Sequence, residues 1–77
     1  MRQQILALFQ PIIGIIPKEE DEFHMLCYLW DYCELIDSIE KELNIYLKDS
    51  DEKDEYSFDT VKDFIDWVLQ YTKPETC

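Results

Sequence analysis

The chain has 77 residues, seven of them basic and 18 acidic, which gives a formal net charge of −11. A negative field of this size repels nucleic acid and anionic membranes, because affinity for phosphate groups comes from lysine and arginine. Hydrophobic residues make up 47% of the sequence and glycine occurs once, which disfavours both a disordered chain and an all-β fold rich in tight turns. We therefore expect a single helical domain over residues 1–77.

The first predicted element is an amphipathic helix over about residues 2–15. Pro11 has no amide hydrogen and clashes with the preceding turn, so we expect it to kink or end this helix. Pro17 then leads into the acidic run 18–22, which suits a loop or the first turn of a helix. The helix is indicated by apolar residues at helical spacing, namely Ile5, Leu6, Leu8, Phe9, Ile12, Ile13 and Ile16.

The second predicted helix spans about residues 26–46 and has the clearest amphipathic pattern in the chain. Its apolar stripe comprises Leu26, Leu29, Trp30, Cys33, Ile36, Ile39 and Leu43. The polar residues outside this stripe are Asp31, Glu34, Asp37, Lys41 and Glu42. The pattern leaves open whether the helix begins near Glu19 or near Cys27.

A polar, acidic connector over residues 48–56 precedes a final helix over about residues 58–71. Ser57 is its expected N-cap, because the hydroxyl can accept a hydrogen bond from the first turn, and Pro74 prevents its continuation. The apolar residues of this helix are Phe58, Val61, Phe64, Ile65, Val68 and Leu69. The pattern as a whole predicts an all-α fold of three main helices, with a short fourth helix in the connector as an open alternative.

Residues 28–45 resemble the second helix of acyl carrier proteins. The family has the form Asp-Ser-Leu-x-x-x-Glu-Leu-x-x-x-(Ile/Leu)-Glu-x-Glu-(Phe/Leu)-x-Ile, and this chain reads Tyr-Leu-Trp-Asp-Tyr-Cys-Glu-Leu-Ile-Asp-Ser-Ile-Glu-Lys-Glu-Leu-Asn-Ile. Residues 58–68 are similar to the family's closing pattern, Thr-(Val/Ile)-x-Asp-(Val/Leu/Phe)-(Val/Ile)-x-(Tyr/Trp)-(Ile/Val), so the resemblance covers about residues 29–71. It implies a three- to four-helix bundle of the acyl-carrier-protein type with an abbreviated first loop.

The resemblance breaks at the position that carries the family's chemistry. The serine to which the family attaches phosphopantetheine falls on Leu29, and the aspartate before it falls on Tyr28. Leucine has no nucleophilic oxygen, and Ser38 lies well inside the predicted helix. We therefore expect no phosphopantetheine cofactor.

The function that the resemblance implies is docking, because acyl carrier proteins present an acidic second helix to basic patches on enzymes. The docking residues expected here are Trp30, Asp31, Glu34, Asp37 and Glu42. The simplest competing interpretation is that these acidic residues form only the solvated face of a helix. We expect a non-catalytic interaction module that binds a basic surface of an enzyme or of a nucleic-acid-binding protein, as a monomer or weak homo-oligomer. Two alternatives stay open: a genuine acyl or peptidyl carrier with an atypical attachment site, and an acidic inhibitor of the immunity or DNA-mimic type.

Enzymatic and metal-binding motifs are not recognisable in the sequence. Gly14 is the only glycine, so a glycine-rich phosphate loop is not possible. The acidic connector lacks the ligand spacing of a calcium loop, and His24, Cys27 and Cys33 do not complete the four ligands of a zinc site. We therefore expect neither catalysis nor a bound metal. The chain has three cysteines, Cys27, Cys33 and Cys77, which is an odd number, and no secretory signal or membrane-spanning run is recognisable. We therefore expect a reduced, cytoplasmic location.

Overall fold

The secondary structure of the chain is helical. A computed structural model describes residues 2–47, 50–54 and 56–72, with Leu29 and Asp51 described by their backbone only. Within these ranges there is no strand and no helix long and apolar enough to cross a lipid bilayer. The helices are α1 (Arg2–Ile13), α2 (Phe23–Leu26), α3 (Leu29–Leu43) and α4 (Val61–Leu69), and a 3₁₀ turn covers Ser50–Glu52. The prediction of a small all-α bundle is confirmed.

Part of the sequence-based prediction falls on residues that the structure does not describe. These residues are Lys48, Asp49 and Glu55 of the connector, together with Pro74 and Cys77.

The radius of gyration of the Cα atoms is 11.6 Å. A compact chain of this length is expected to have a radius of gyration of about 11.5 Å.

The first helix ends at Ile13, just before Gly14, and not at Pro11. Pro11 lies inside α1, which continues to Ile13. Gly14 has a φ of 88°, a conformation that favours glycine, and its amide donates to the carbonyl oxygen of Gln10 at 2.8 Å. The reversal at Gly14 takes the chain out of the helix, so α1 is shorter than the predicted range 2–15.

The start of α3 lies near Cys27, which settles the choice that the sequence left open. Cys27 and Tyr28 are extended, with φ of −124° and −94°, and they separate α3 from the short α2. At its other end, Asn44 adopts the left-handed conformation (φ 55°, ψ 50°). The amides of Asn44 and Ile45 both donate to the carbonyl oxygen of Glu40, which closes the last turn. The helix is therefore shorter at both ends than the predicted range 26–46.

The buried side of α3 differs from the predicted apolar stripe. Its buried residues are Tyr32, Leu35, Ile36 and Ile39. Trp30 and Cys33, which were expected in the stripe, are exposed. At about 100° per residue they lie roughly 140 to 160° around the helix axis from the fully buried Leu35. The expectation that Trp30 packs in or beside the core is wrong, and Cys33 is likewise outside it.

The N-cap of the fourth helix is Thr60 and not Ser57. The hydroxyl of Thr60 accepts from the amide of Asp63, and the Asp63 side chain accepts from the amide of Thr60, which forms a capping box. The amides of Val61 and Lys62 donate to the carbonyl oxygens of Asp21 and Glu19, both at 2.9 Å. Ser57 instead closes an exposed turn with Asp54. These bonds satisfy the first amides of α4, whose range is narrower than the predicted 58–71.

The core is built around a cluster of aromatic rings. Phe64 of α4 lies at its centre, stacked on Phe23 of α2 with ring centroids 4.6 Å apart. The other rings that contact Phe64 belong to Phe9, Tyr32, Phe58 and Trp67. Trp67 is only 7% exposed, so it belongs to this core. The aromatic residues thus bring all four helices together, and α3 is left with one buried and one open side.

A second group of contacts joins the ends of the chain through Arg2. Its Nε donates to both carboxylate oxygens of Glu19, at 3.2 and 3.0 Å, and its Nη1 donates to Oδ1 of Asp66 at 2.8 Å. Hydrogen bonds from Arg2 lower the pKa of the Glu19 carboxyl and that of Asp66, where Lys62 adds a smaller effect. The guanidinium therefore connects α1, the loop before α2, and α4.

Candidate functional site

The open side of α3 carries a continuous stripe of exposed residues. Trp30, Glu34, Asp37 and Lys41 are all exposed and follow one another at intervals of four, three and four residues. Side chains at this spacing lie on one face of a helix. We call these four residues the outer stripe. It lies opposite the buried residues of α3, so the stripe faces away from the core.

Trp30 is the most exposed large hydrophobic side chain of the described residues, at 78% of its accessible area. Tryptophan is on average highly buried in folded proteins, because its large apolar surface is unfavourable in water. Met25 and Tyr28, just before it in the chain, are also largely exposed. Trp30 in the first turn of α3 and the two residues before that helix therefore each expose apolar surface to solvent.

The carboxylates of the outer stripe are not neutralised within the described part of the chain. The ion pairs found there involve Arg2, His24 and Lys62, and none includes Glu34 or Asp37. Lys41 shares the stripe but makes no ion pair with its neighbours among these residues. Trp30 and two carboxylates without an ion pair among these residues thus share one face over about two turns of helix.

Two of the expected docking residues lie on a different face of α3. Asp31 and Glu42 are displaced by roughly 100 to 120° around the helix axis from Trp30. Asp31 is half-buried in the first turn, where the helix dipole stabilises a negative charge. Glu42 is exposed in the last turn. The residues singled out from the sequence are therefore divided between the outer stripe and one flank of the helix.

The other flank of α3 forms a groove with the segment that follows the helix. The groove has a volume of about 300 Å³. It is lined by Cys33, Ile36, Asp37 and Glu40 of α3 and by Tyr46 and Ser50 beyond it, among others. We call it the side groove. Asp37 belongs both to the groove and to the outer stripe.

The side groove exists because the chain turns back along α3 after Asn44. One carboxylate oxygen of Glu40, Oε2, accepts from the backbone amide of Leu47 at 2.8 Å. Leu47 is fully buried, whereas Tyr46 beside it is 72% exposed. Sequence reasoning did not identify this groove. The alternation of Ile45, Tyr46 and Leu47 after the left-handed Asn44 is the signal that could have indicated it.

The remaining candidate positions do not converge on a second site. Leu29, which the resemblance aligns with an attachment position, is the first residue of α3, and Ser38 lies in the middle of that helix. Cys27 is buried in the core, while His24 lies beside the ring of Tyr56. The residues that the structure describes contain no group of three or more His, Cys, Asp or Glu side chains arranged to hold a metal ion.

Comparisons of the chain with protein-family models, with curated proteins and with solved structures found no match.

Proposed function

We propose that this chain is a non-catalytic interaction module of the acyl-carrier-protein type that docks on a basic protein surface through α3. The observation that carries the proposal is the exposure of Trp30 on the same face as the carboxylates of Glu34 and Asp37, which make no ion pair with the described residues. A helix that only faced water would gain nothing from a tryptophan at this position, since burial of apolar surface is favourable. A partner that covers Trp30 would gain that burial.

The two kinds of residue have different roles in such a contact. Tryptophan is among the side chains that contribute most to binding free energy when a partner covers them. The carboxylates attract a basic surface over several ångströms and orient it, which mainly raises the association rate. Binding through this face is therefore expected to weaken as salt screens the charges.

The acyl-carrier-protein type of architecture is supported by where the two similar segments lie. The segment similar to the family's second helix coincides with α3, and the segment similar to the closing pattern overlaps α4. Leu29 stands at the attachment position, so the proposed module keeps the docking helix of the family without the carrier group.

The proposal is tested by capturing partners from an extract of the source cells with the immobilised chain. Three proteins are compared: the natural chain, a stripe variant with Glu34→Lys and Asp37→Lys, and a control variant with Glu20→Lys and Asp59→Lys. All four substituted residues are exposed, and both variants change the net charge equally. We expect the natural chain and the control variant to capture the same protein, and the stripe variant to lose it.

The captured protein is then purified and its affinity is measured by calorimetry at several salt concentrations. The proposal requires a Kd that rises with salt and rises further when Trp30→Ala is introduced. Equal capture by the stripe and control variants, or an affinity indifferent to salt, would contradict it.

A further inference from the structure

We propose that the side groove receives one arginine side chain of the partner, with the guanidinium at Asp37 and Glu40 and the stem along Ile36 and Tyr46. The inference rests on the proposed function, because it takes the partner to be a basic protein. It goes further in naming one side chain of that partner and its binding position.

The size and the walls of the groove suit a single long side chain. Its volume of about 300 Å³ lies at the lower end of the range of roughly 300 to 1,000 Å³ for ligand sites. Ile36 supplies apolar surface, and the ring of Tyr46 is largely exposed at the edge. An aliphatic stem can therefore be covered while its charged end stays near water.

The charges in the groove favour a cation. Asp37 and Glu40 are three residues apart on α3, so their Cβ atoms are neighbours at about 5–6 Å. The bond from the Leu47 amide engages Oε2 of Glu40 and restrains that carboxylate. Its other oxygen, Oε1, makes no hydrogen bond with the described residues. Asp37 is exposed and makes no ion pair with them, so acceptors on both residues can take hydrogen bonds from a ligand.

Arginine fits this arrangement better than lysine. A planar guanidinium has several N–H donors in a fixed fork, so it can donate to two carboxylates at once. It also stacks on an aromatic face, which the exposed ring of Tyr46 offers. The ammonium of lysine is a compact, strongly hydrated charge without a planar face, so Tyr46 should discriminate between the two residues.

The test uses two blocked peptides, acetyl-Gly-Arg-Gly-Arg-Gly-amide and the same peptide with lysine in place of arginine. Each is titrated at low salt into the full chain labelled with ¹⁵N, and amide shifts are followed by NMR. We expect the arginine peptide to bind about two- to fivefold more tightly, which is the size of a cation–π contact at an exposed site. The largest shifts are expected at Cys33, Asp37 and Tyr46.

Two variants separate the groove from the general acidity of the chain. Tyr46→Ala should abolish the preference for arginine, because it weakens binding of the arginine peptide more than binding of the lysine peptide. Tyr56→Ala is the matched control, since Tyr56 is 69% exposed and does not line the groove. It should leave the preference intact. Because both tyrosines are exposed, neither substitution should unfold the protein.

The outcomes distinguish this inference from the proposed function. If both peptides bind equally and Tyr46→Ala has no effect, the groove is not an arginine site. Whether the chain docks through the outer stripe is then decided by the capture experiment alone. Failure of both peptides to bind would likewise overturn the arginine site, whatever the capture experiment shows. If arginine binding depends on Tyr46 but a variant with Trp30→Ala and Glu34→Lys, which leaves the groove residues unchanged, captures the same partner as the natural chain, only the proposed docking face is wrong.

Discussion

Phe23 and Phe64 stack on one another, with ring centroids 4.6 Å apart and ring planes within 17° of parallel. Phe23 belongs to α2, which has only four residues and could not persist as an isolated helix in water. The backbone supports the same contact, because the amide of Phe23 donates to the carbonyl oxygen of Asp59 at 3.1 Å. The short helix is thus held against the start of α4 by the core.

Replacement of Phe23 by alanine should destabilise the protein severely. The ring is fully buried, so its removal loses transfer free energy and leaves a cavity, at a cost of about 3–5 kcal/mol. Chemical denaturation measures this loss. Met25→Ala on the same helix is the control and should change the free energy of unfolding by less than about 0.5 kcal/mol, because Met25 is exposed. A loss of unfolding free energy for Phe23→Ala no larger than that for Met25→Ala would show that Phe23 does not anchor α2.

The N-cap of α4 can be assigned by a pair of alanine substitutions. Thr60→Ala removes the hydroxyl that accepts from the Asp63 amide and should cost about 1 kcal/mol of stability. Ser57→Ala alters only an exposed turn and should cost clearly less. Thermal and urea unfolding of the two variants give the comparison. A larger loss for Ser57→Ala would restore Ser57 as the cap.

The bonds of Arg2 predict a particular pH dependence of stability. Arg2 lowers the pKa of the Glu19 and Asp66 carboxyls in the folded state, so the stabilisation is present above their unfolded pKa values, about 4. It is lost as pH falls through the lower folded pKa values. We expect Arg2→Gln to be less stable than the natural chain at pH 7, with the difference shrinking below about pH 4. Urea unfolding of both proteins from pH 7 to pH 2 measures this difference, and a gap independent of pH would contradict the assignment.

Incubation with coenzyme A and a promiscuous phosphopantetheinyl transferase should leave the mass of the chain unchanged. Leu29 has no nucleophilic group, and Ser38 lies within the regular backbone of α3. Intact-mass spectrometry gives the answer, with a known acyl carrier protein as the positive control. A gain of one phosphopantetheine group would establish a carrier with an atypical attachment site and would replace the proposed function.

Trp30 and Trp67 should respond in opposite ways to substitution. Trp30→Ala should change the free energy of unfolding by less than about 0.5 kcal/mol, because its indole faces solvent. Trp67→Ala should cost about 3–5 kcal/mol, because its ring is packed against Phe58 and Phe64. Denaturant unfolding followed by circular dichroism compares both variants without relying on tryptophan fluorescence.

The all-α class and the approximate position of three helices follow from the sequence alone. Apolar residues at helical spacing identify α1, α3 and α4, because a helix that packs on a core with one side repeats its apolar residues every three to four positions. The acidic residues of α3 could also be named, since charged groups stay in water unless they are paired.

Tertiary packing decided the features that local pattern could not. Phe23 follows an acidic run and has too few apolar neighbours to show periodicity, yet the stack on Phe64 draws it into the core. Trp30 is an apolar residue of the kind found in protein cores. Burial of Leu35 and Ile39 fixes the rotation of α3, and Trp30 consequently faces solvent. The side groove depends on the left-handed Asn44 and on the bond from Leu47 to Glu40. The sequence by itself thus determined three of the helices and their charges, whereas the orientation of α3 was decided by contacts between distant residues, because only those contacts select which of its apolar side chains are buried.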